Sequence, residues 1–181
     1  MKTTILSALL FICSIVLAQE PKNNSADKTI VKNNKPLKLN SIGYGFGFFS
    51  TTQNDGGLSG IIELGLIANK NLFLVNYLSG STFTILGPAG IEITELNLQI
   101  GREHKVTNWF SIQGFAGLGY INQELQSYSS KAVPFTSASV PLRLKLVCYT
   151  GKHFALVSNS NYNINATSSV FSSNLTFQHI F

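Results

Sequence analysis

Cysteine is nearly missing from this 181-residue chain. There are two, and Cys13 lies inside an N-terminal apolar run, so only Cys148 remains in the body of the protein. An intramolecular disulfide and a cysteine-based metal site are therefore excluded. Charge is scarce as well. Asp, Glu, Lys and Arg make up 12% of the residues, about half the usual share. With a mean hydropathy of +0.18, such a chain is poorly equipped to cover itself with water, and something else is expected to cover part of it. Beyond residue 18 no apolar run approaches the roughly 20 residues a spanning helix needs. No His/Asp/Glu group has metal-ligand spacing and no cofactor motif stands out, so neither metal nor cofactor is expected.

What is present begins with a secretory signal, assigned to residues 1–18. Lys2 supplies the positive start, Ile5 to Leu17 the apolar core, and Val16-Leu17-Ala18 the small residues before a cleavage point. Lipoprotein processing at Cys13 is disfavoured, because Leu10-Phe11-Ile12 offers no small residue before it. Residues 19–38 are polar, rich in Lys and Asn, and read as a flexible linker. This tail carries much of the formal charge of +5. From Ser41 onward bases and acids nearly balance, which argues against a nucleic-acid partner.

From Leu39 to Phe181 the pattern has a period of two. Ile42, Tyr44, Phe46 and Phe48 alternate with Gly43, Gly45 and Gly47. A nucleotide loop would need a helix after those glycines, and here the alternation simply continues. Ile62, Leu64 and Leu66 alternate with Ile61, Glu63 and Gly65; Leu96, Leu98 and Ile100 with Glu95, Asn97 and Gln99. Ala138, Val140, Leu142, Leu144, Leu146 and Cys148 form an unbroken apolar row, with Arg143 and Lys145 on the other side. Eight candidate strands result, with no helix after the signal. Short links (69–71, 103–108, 150–153) alternate with longer ones (51–57, 80–91, 123–136, and a modest 164–168). An antiparallel meander puts alternate links at opposite ends, and transmembrane barrels show this asymmetry of turns and loops.

The fold class expected is all-β: an eight-stranded antiparallel up-and-down transmembrane β-barrel over residues 39–181. Lipid supplies no hydrogen-bond partners, so a spanning sheet must close on itself. The apolar faces would look outward. Glu63, Glu95, Gln99, Arg143 and Lys145 would then form a polar cluster in the lumen, where buried charges must pair or meet water. Tyr44, Tyr77, Tyr120, Tyr149, Tyr162 and Trp109 are expected near the membrane interfaces. His104 and His153 fall in expected turns.

The last nine residues, SNLTFQHIF, alternate once more and finish on Phe181. They resemble the C-terminal β-signal of Gram-negative outer-membrane barrels, with Leu175, Phe177 and Phe181 at the apolar positions and His179 where an apolar or aromatic residue is usual. The whole pattern resembles the small OmpA/OmpX-type barrels. That resemblance implies residence in the cell outer membrane, with outer-membrane lipid and the barrel-assembly machinery as partners, and a monomer. It implies a non-enzymatic envelope-structural or surface-interaction role. The enzymes known on such barrels, lipid A deacylases and palmitoyltransferases, need a Ser with a His near the membrane edge. The deacylase-type His-x-Ser arrangement is missing after His104, His153 and His179, so no enzyme is expected. Two alternatives remain at this stage: a narrow pore or small-molecule binder using the charged lumen, and a soluble periplasmic barrel of lipocalin-like type.

Overall fold

The computed structural model describes residues 36–53, 55–82, 89–127 and 133–181. The expected signal peptide and the expected linker up to residue 35 lie outside the described residues. Eight strands follow in order: β1 (Lys38–Thr51), β2 (Gly56–Ala68), β3 (Asn71–Ser81), β4 (Ala89–Lys105), β5 (Phe110–Ser127), β6 (Val133–Tyr149), β7 (Phe154–Asn165) and β8 (Val170–Ile180). Each pairs antiparallel with its sequence neighbour, and β8 returns to β1 to close a barrel. Closure satisfies the wall's backbone groups on both sides of every strand.

The links sort to two ends. Asn69-Lys70, residues 106–109 and residues 150–153 form the turn end. The C-terminal ends of β1, β3, β5 and β7 lie at the opposite, loop end. Asn69 sits at φ 57° in the two-residue β2–β3 turn, a left-handed conformation that Asn tolerates well.

The strands run further than the apolar alternation indicates. β4 continues to Lys105, so Glu103 and His104, expected in a turn, belong to a strand. At the loop end, 89–91, 123–127 and 133–136, expected in links, are paired strand residues. The physical reason lies in the outward face. It carries Glu92, Thr94, Asn122 and Glu124 here. Alternation marks a strand only while one face is apolar; the ladder Glu92↔Glu124↔Pro134 continues where that contrast fades.

Closure itself depends on bare backbone. Gly45 and Gly47 face inward at the β1–β8 seam. A Cβ on Gly45 would stand 2.3 Å from the Leu175 carbonyl oxygen, and one on Gly47 would stand 1.9 Å from that of Ser173. The inward face of the GYGFG stretch is thus a side-chain-free track along which β8 packs.

Candidate functional site

Alternation decides what the barrel shows and what it hides, and the result is inverted relative to a water-soluble barrel. Phe46, Phe48, Ile62, Leu98 and Leu118 point outward, each 61–73% exposed. The β6 row from Ala138 to Cys148 also faces outward. Inward lie Glu63, Glu95, Asn97, Gln99, Arg143 and Lys145, all buried.

The interior is layered. At the loop end Phe49, Ile61, Leu78, Ile91, Ile93, Ile121 and Val170 form one apolar cluster. Towards the turn end Leu72, Leu74 and Phe115 form a second, and Val147, Ala155 and Val157 a third. Along each strand the charged residues lie between these groups: Glu63 follows Ile61 on β2, and Arg143 and Lys145 precede Val147 on β6.

Glu63 is the hub of the middle layer. Its Oε1 accepts hydrogen bonds from Arg143 Nη1 and from Asn159 Nδ2 at 2.7 Å. Its Oε2 accepts one from Lys145 Nζ at 2.7 Å. Arg143 Nη2 also donates to Asn76 Oδ1 at 2.8 Å. Gln99 accepts from Asn76 Nδ2 at 3.1 Å and donates to the Pro141 carbonyl at 3.5 Å. Of the five residues expected in the lumen, Glu63, Arg143 and Lys145 therefore meet in one ion-paired group, and Gln99 joins it through Asn76. Glu95 makes no ion pair. Its Oε2 accepts from Asn97 Nδ2 at 3.2 Å and Asn161 Nδ2 at 3.4 Å. Lys145 Nζ lies 6.0 Å from the centroid of the Phe115 ring. A void of about 10 Å³, room for about one water, lies among Ser41, Leu72, Phe115 and Lys145.

Sequence reasoning missed three parts of this interior. The apolar clusters share the inward face with the charges, a face expected to be polar. Asn159, Asn161 and Asn163 line β7 at alternate positions, the first donating to Glu63, the second to Glu95 and the third to Asn97, a period-two signal carried by asparagine rather than by hydrophobes. Tyr149, expected at an interface, turns inward, and its hydroxyl donates to Glu103 Oε1. That carboxylate oxygen also takes Ser111 Oγ at 2.7 Å and Gln113 Nε2 at 3.2 Å.

The four residues of the expected assembly signal share one outward face of the β8 end. Leu175 pairs with Phe46 and Phe177 with Tyr44, whose ring centroids are 6.0 Å apart. His179 stacks on His153 at 6.0 Å and meets the edges of Phe154 and Phe181 at 5.1 and 4.8 Å.

This architecture occurs in solved structures. Neisserial surface protein A (NspA) superposes with a TM-score of 0.65 over 83% of this chain and 100% of that one, at 11% identity. The fold is that of a small outer-membrane barrel. OprG from Pseudomonas aeruginosa matches with a TM-score of 0.59 over 80% of this chain and 97% of its own, at 13% identity. Ail, the attachment invasion locus protein of Yersinia pestis, matches at 0.56 over 81% and 99%, at 14% identity. No protein-family model matches the sequence, and no curated protein does. The outer-membrane barrel fold is thus shared at identities of 11–14%.

Proposed function

We propose that this chain is a non-enzymatic integral protein of the outer membrane, with an envelope-structural or surface-interaction role exercised through its loop end. The observation that carries the reading is the inverted polarity: an apolar outer belt around a buried, ion-paired middle layer. A soluble barrel with these faces would leave Phe46, Leu98 and Leu118 in water, which is unfavourable at about 25 cal/mol per Å² of apolar surface. In lipid the same residues are at home. A lipocalin-like carrier would need a ligand cavity, and the centre is instead filled by side chains. A pore would need a continuous water path, and the apolar cluster around Phe49, Ile93 and Ile121 stands across it.

Under this reading residues 1–18 direct export, 19–37 form a periplasmic tether that ends where β1 begins at Lys38, and Leu175, Phe177, His179 and Phe181 are read by the assembly machinery. The protein acts as a monomer surrounded by lipid. Ail has been crystallised with the heparin analogue sucrose octasulfate. A polyanion suits this chain's loop end poorly, because the charges placed there among the described residues are Asp55, Glu92 and Glu124.

The test is heat-modifiability. Outer membranes are isolated, solubilised, and run boiled and unboiled side by side. The protein is expected in that fraction with a mobility shift on boiling. Recovery in the soluble periplasm without a shift would overturn the proposal.

A further inference from the structure

The charges on the outside of the barrel are not mixed; they are sorted by end. Lys38, Lys70, Arg102, Lys105 and Lys152 all lie at the turn end and all are exposed. The three histidines lie there too, His104 and His153 exposed and His179 partly so. Among the described residues one acidic side chain accompanies them, Glu103, which is hydrogen-bonded by Ser111, Gln113 and Tyr149 and lies near enough to Lys105 to feel its charge. None of the five cations is in an ion pair among the described residues, where the ion pairs are the two made by Glu63. The loop end shows the opposite sign in Asp55, Glu92 and Glu124; Lys131 lies outside the described residues.

These cations are distributed around the end rather than gathered on one side. Lys70 sits in the β2–β3 turn, and the pairing Lys38↔Ile67 brings β1's first residue beside it. Arg102 follows Gly101, the partner of Leu72, and Lys105 closes β4 opposite Ser111. The Tyr149 amide donates to the Trp109 carbonyl at 2.8 Å, joining the β4–β5 turn to the end of β6 just before Lys152. The Ile180 amide donates to the His153 carbonyl at 2.8 Å and the Phe181 amide to the Asn40 carbonyl at 3.0 Å, which completes the circuit. Exposed Trp109, Phe154 and Phe181 are interspersed with the cations. Amphipathic rings and cations together are the chemistry of a headgroup layer.

We infer that the turn end is a cationic girdle that binds the anionic headgroups of phospholipids in the periplasmic leaflet. This rests on the membrane reading above and deepens it by naming the lipid class and the residues. Flexible lysines and one arginine, outside any ion pair among the described residues and arranged around a perimeter, suit phosphates of many lipids around the barrel rather than one lipid in a pocket.

The experiment reconstitutes the full chain into phosphatidylcholine vesicles, with and without phosphatidylglycerol, and checks folding by the mobility shift. Spin-labelled phosphatidylglycerol and phosphatidylcholine then report which lipid is immobilised at the barrel. The wild type is expected to prefer phosphatidylglycerol by about threefold or more, and to lose that preference as salt rises to about 0.5 M, where screening is short-ranged. The variant K70Q/R102Q/K105Q/K152Q is expected to show a ratio near one. Should it fail to fold, K70Q/K152Q, confined to two turns, is expected to give an intermediate ratio. Folding in both vesicles with no preference in the wild type, or an undiminished preference in the variants, would overturn the girdle and leave the membrane reading standing. Failure of the wild type to enter either vesicle would overturn both.

Discussion

Replacing Glu63 by Gln keeps the shape of the side chain and removes the anion that serves two buried cations. Arg143 and Lys145 would both lose their partner in a region where their side chains are 0–1% exposed. At the 2.7 Å separation of Lys145 Nζ and Glu63 Oε2, the attraction is about 6 kcal/mol with an effective permittivity of about 20. Desolvation of each ion offsets much of that in the intact pair, but it remains when the partner is removed. Breaking one buried pair typically destabilises by about 3–5 kcal/mol, and here a single change strands two charges. We therefore expect E63Q to lose at least about 3–5 kcal/mol. The measurement is urea unfolding of the reconstituted barrel, followed through the single tryptophan, Trp109. With a slope near 2 kcal/mol/M the midpoint should fall by roughly 2 M. E95Q, at a glutamate that makes no ion pair, should lower the midpoint by clearly less than E63Q. E63L/R143M/K145M, which removes all three charges together, should recover most of the loss. A loss below about 1 kcal/mol for E63Q with an unchanged slope would refute the argument that the triad is dry and mutually dependent.

Two further outcomes follow from the wall. Gly45→Ala puts a methyl group against the Leu175 carbonyl, and overpacking of this kind destabilises by about 1–3 kcal/mol; Gly114→Ala meets nothing within 4 Å and should change the urea midpoint little, so equal effects would refute the seam. Leu98→Arg on the outward face should cost about 2–4 kcal/mol in vesicles if that face meets the bilayer centre, and a stability unchanged from wild type would count against lipid there.

The faces of the strands were legible because side-chain direction depends only on parity. The β6 row from Ala138 to Cys148 and the inward Arg143 and Lys145 follow from that alone. Height and partner do not. Glu63 and Arg143 lie on β2 and β6, across the lumen, and no local rule links residues that far apart in sequence. Ile61 and Ile93 share the parity of Glu63 and Glu95, so nothing in the alternation separates an apolar cap from a polar layer. Strand ends were lost for a related reason: near Glu92 and Glu124 the outward face is polar, and the ladder continues unmarked. The asparagines of β7 were visible as a period of two, but their use as donors to glutamates on β2 and β4 required the closed barrel.

The stacking of apolar and charged layers divides the molecule's charges into two populations. Those on the rim sit in the electrolyte and share its ionic atmosphere, so they answer to every change of salt or lipid around them. Those of the Glu63 group are walled off between oily strata, where mobile counterions do not enter. Whatever balances them has to be carried within the chain itself. A substitution at the rim is therefore negotiable with the surroundings, whereas one in the centre can be compensated only by another residue of the same barrel.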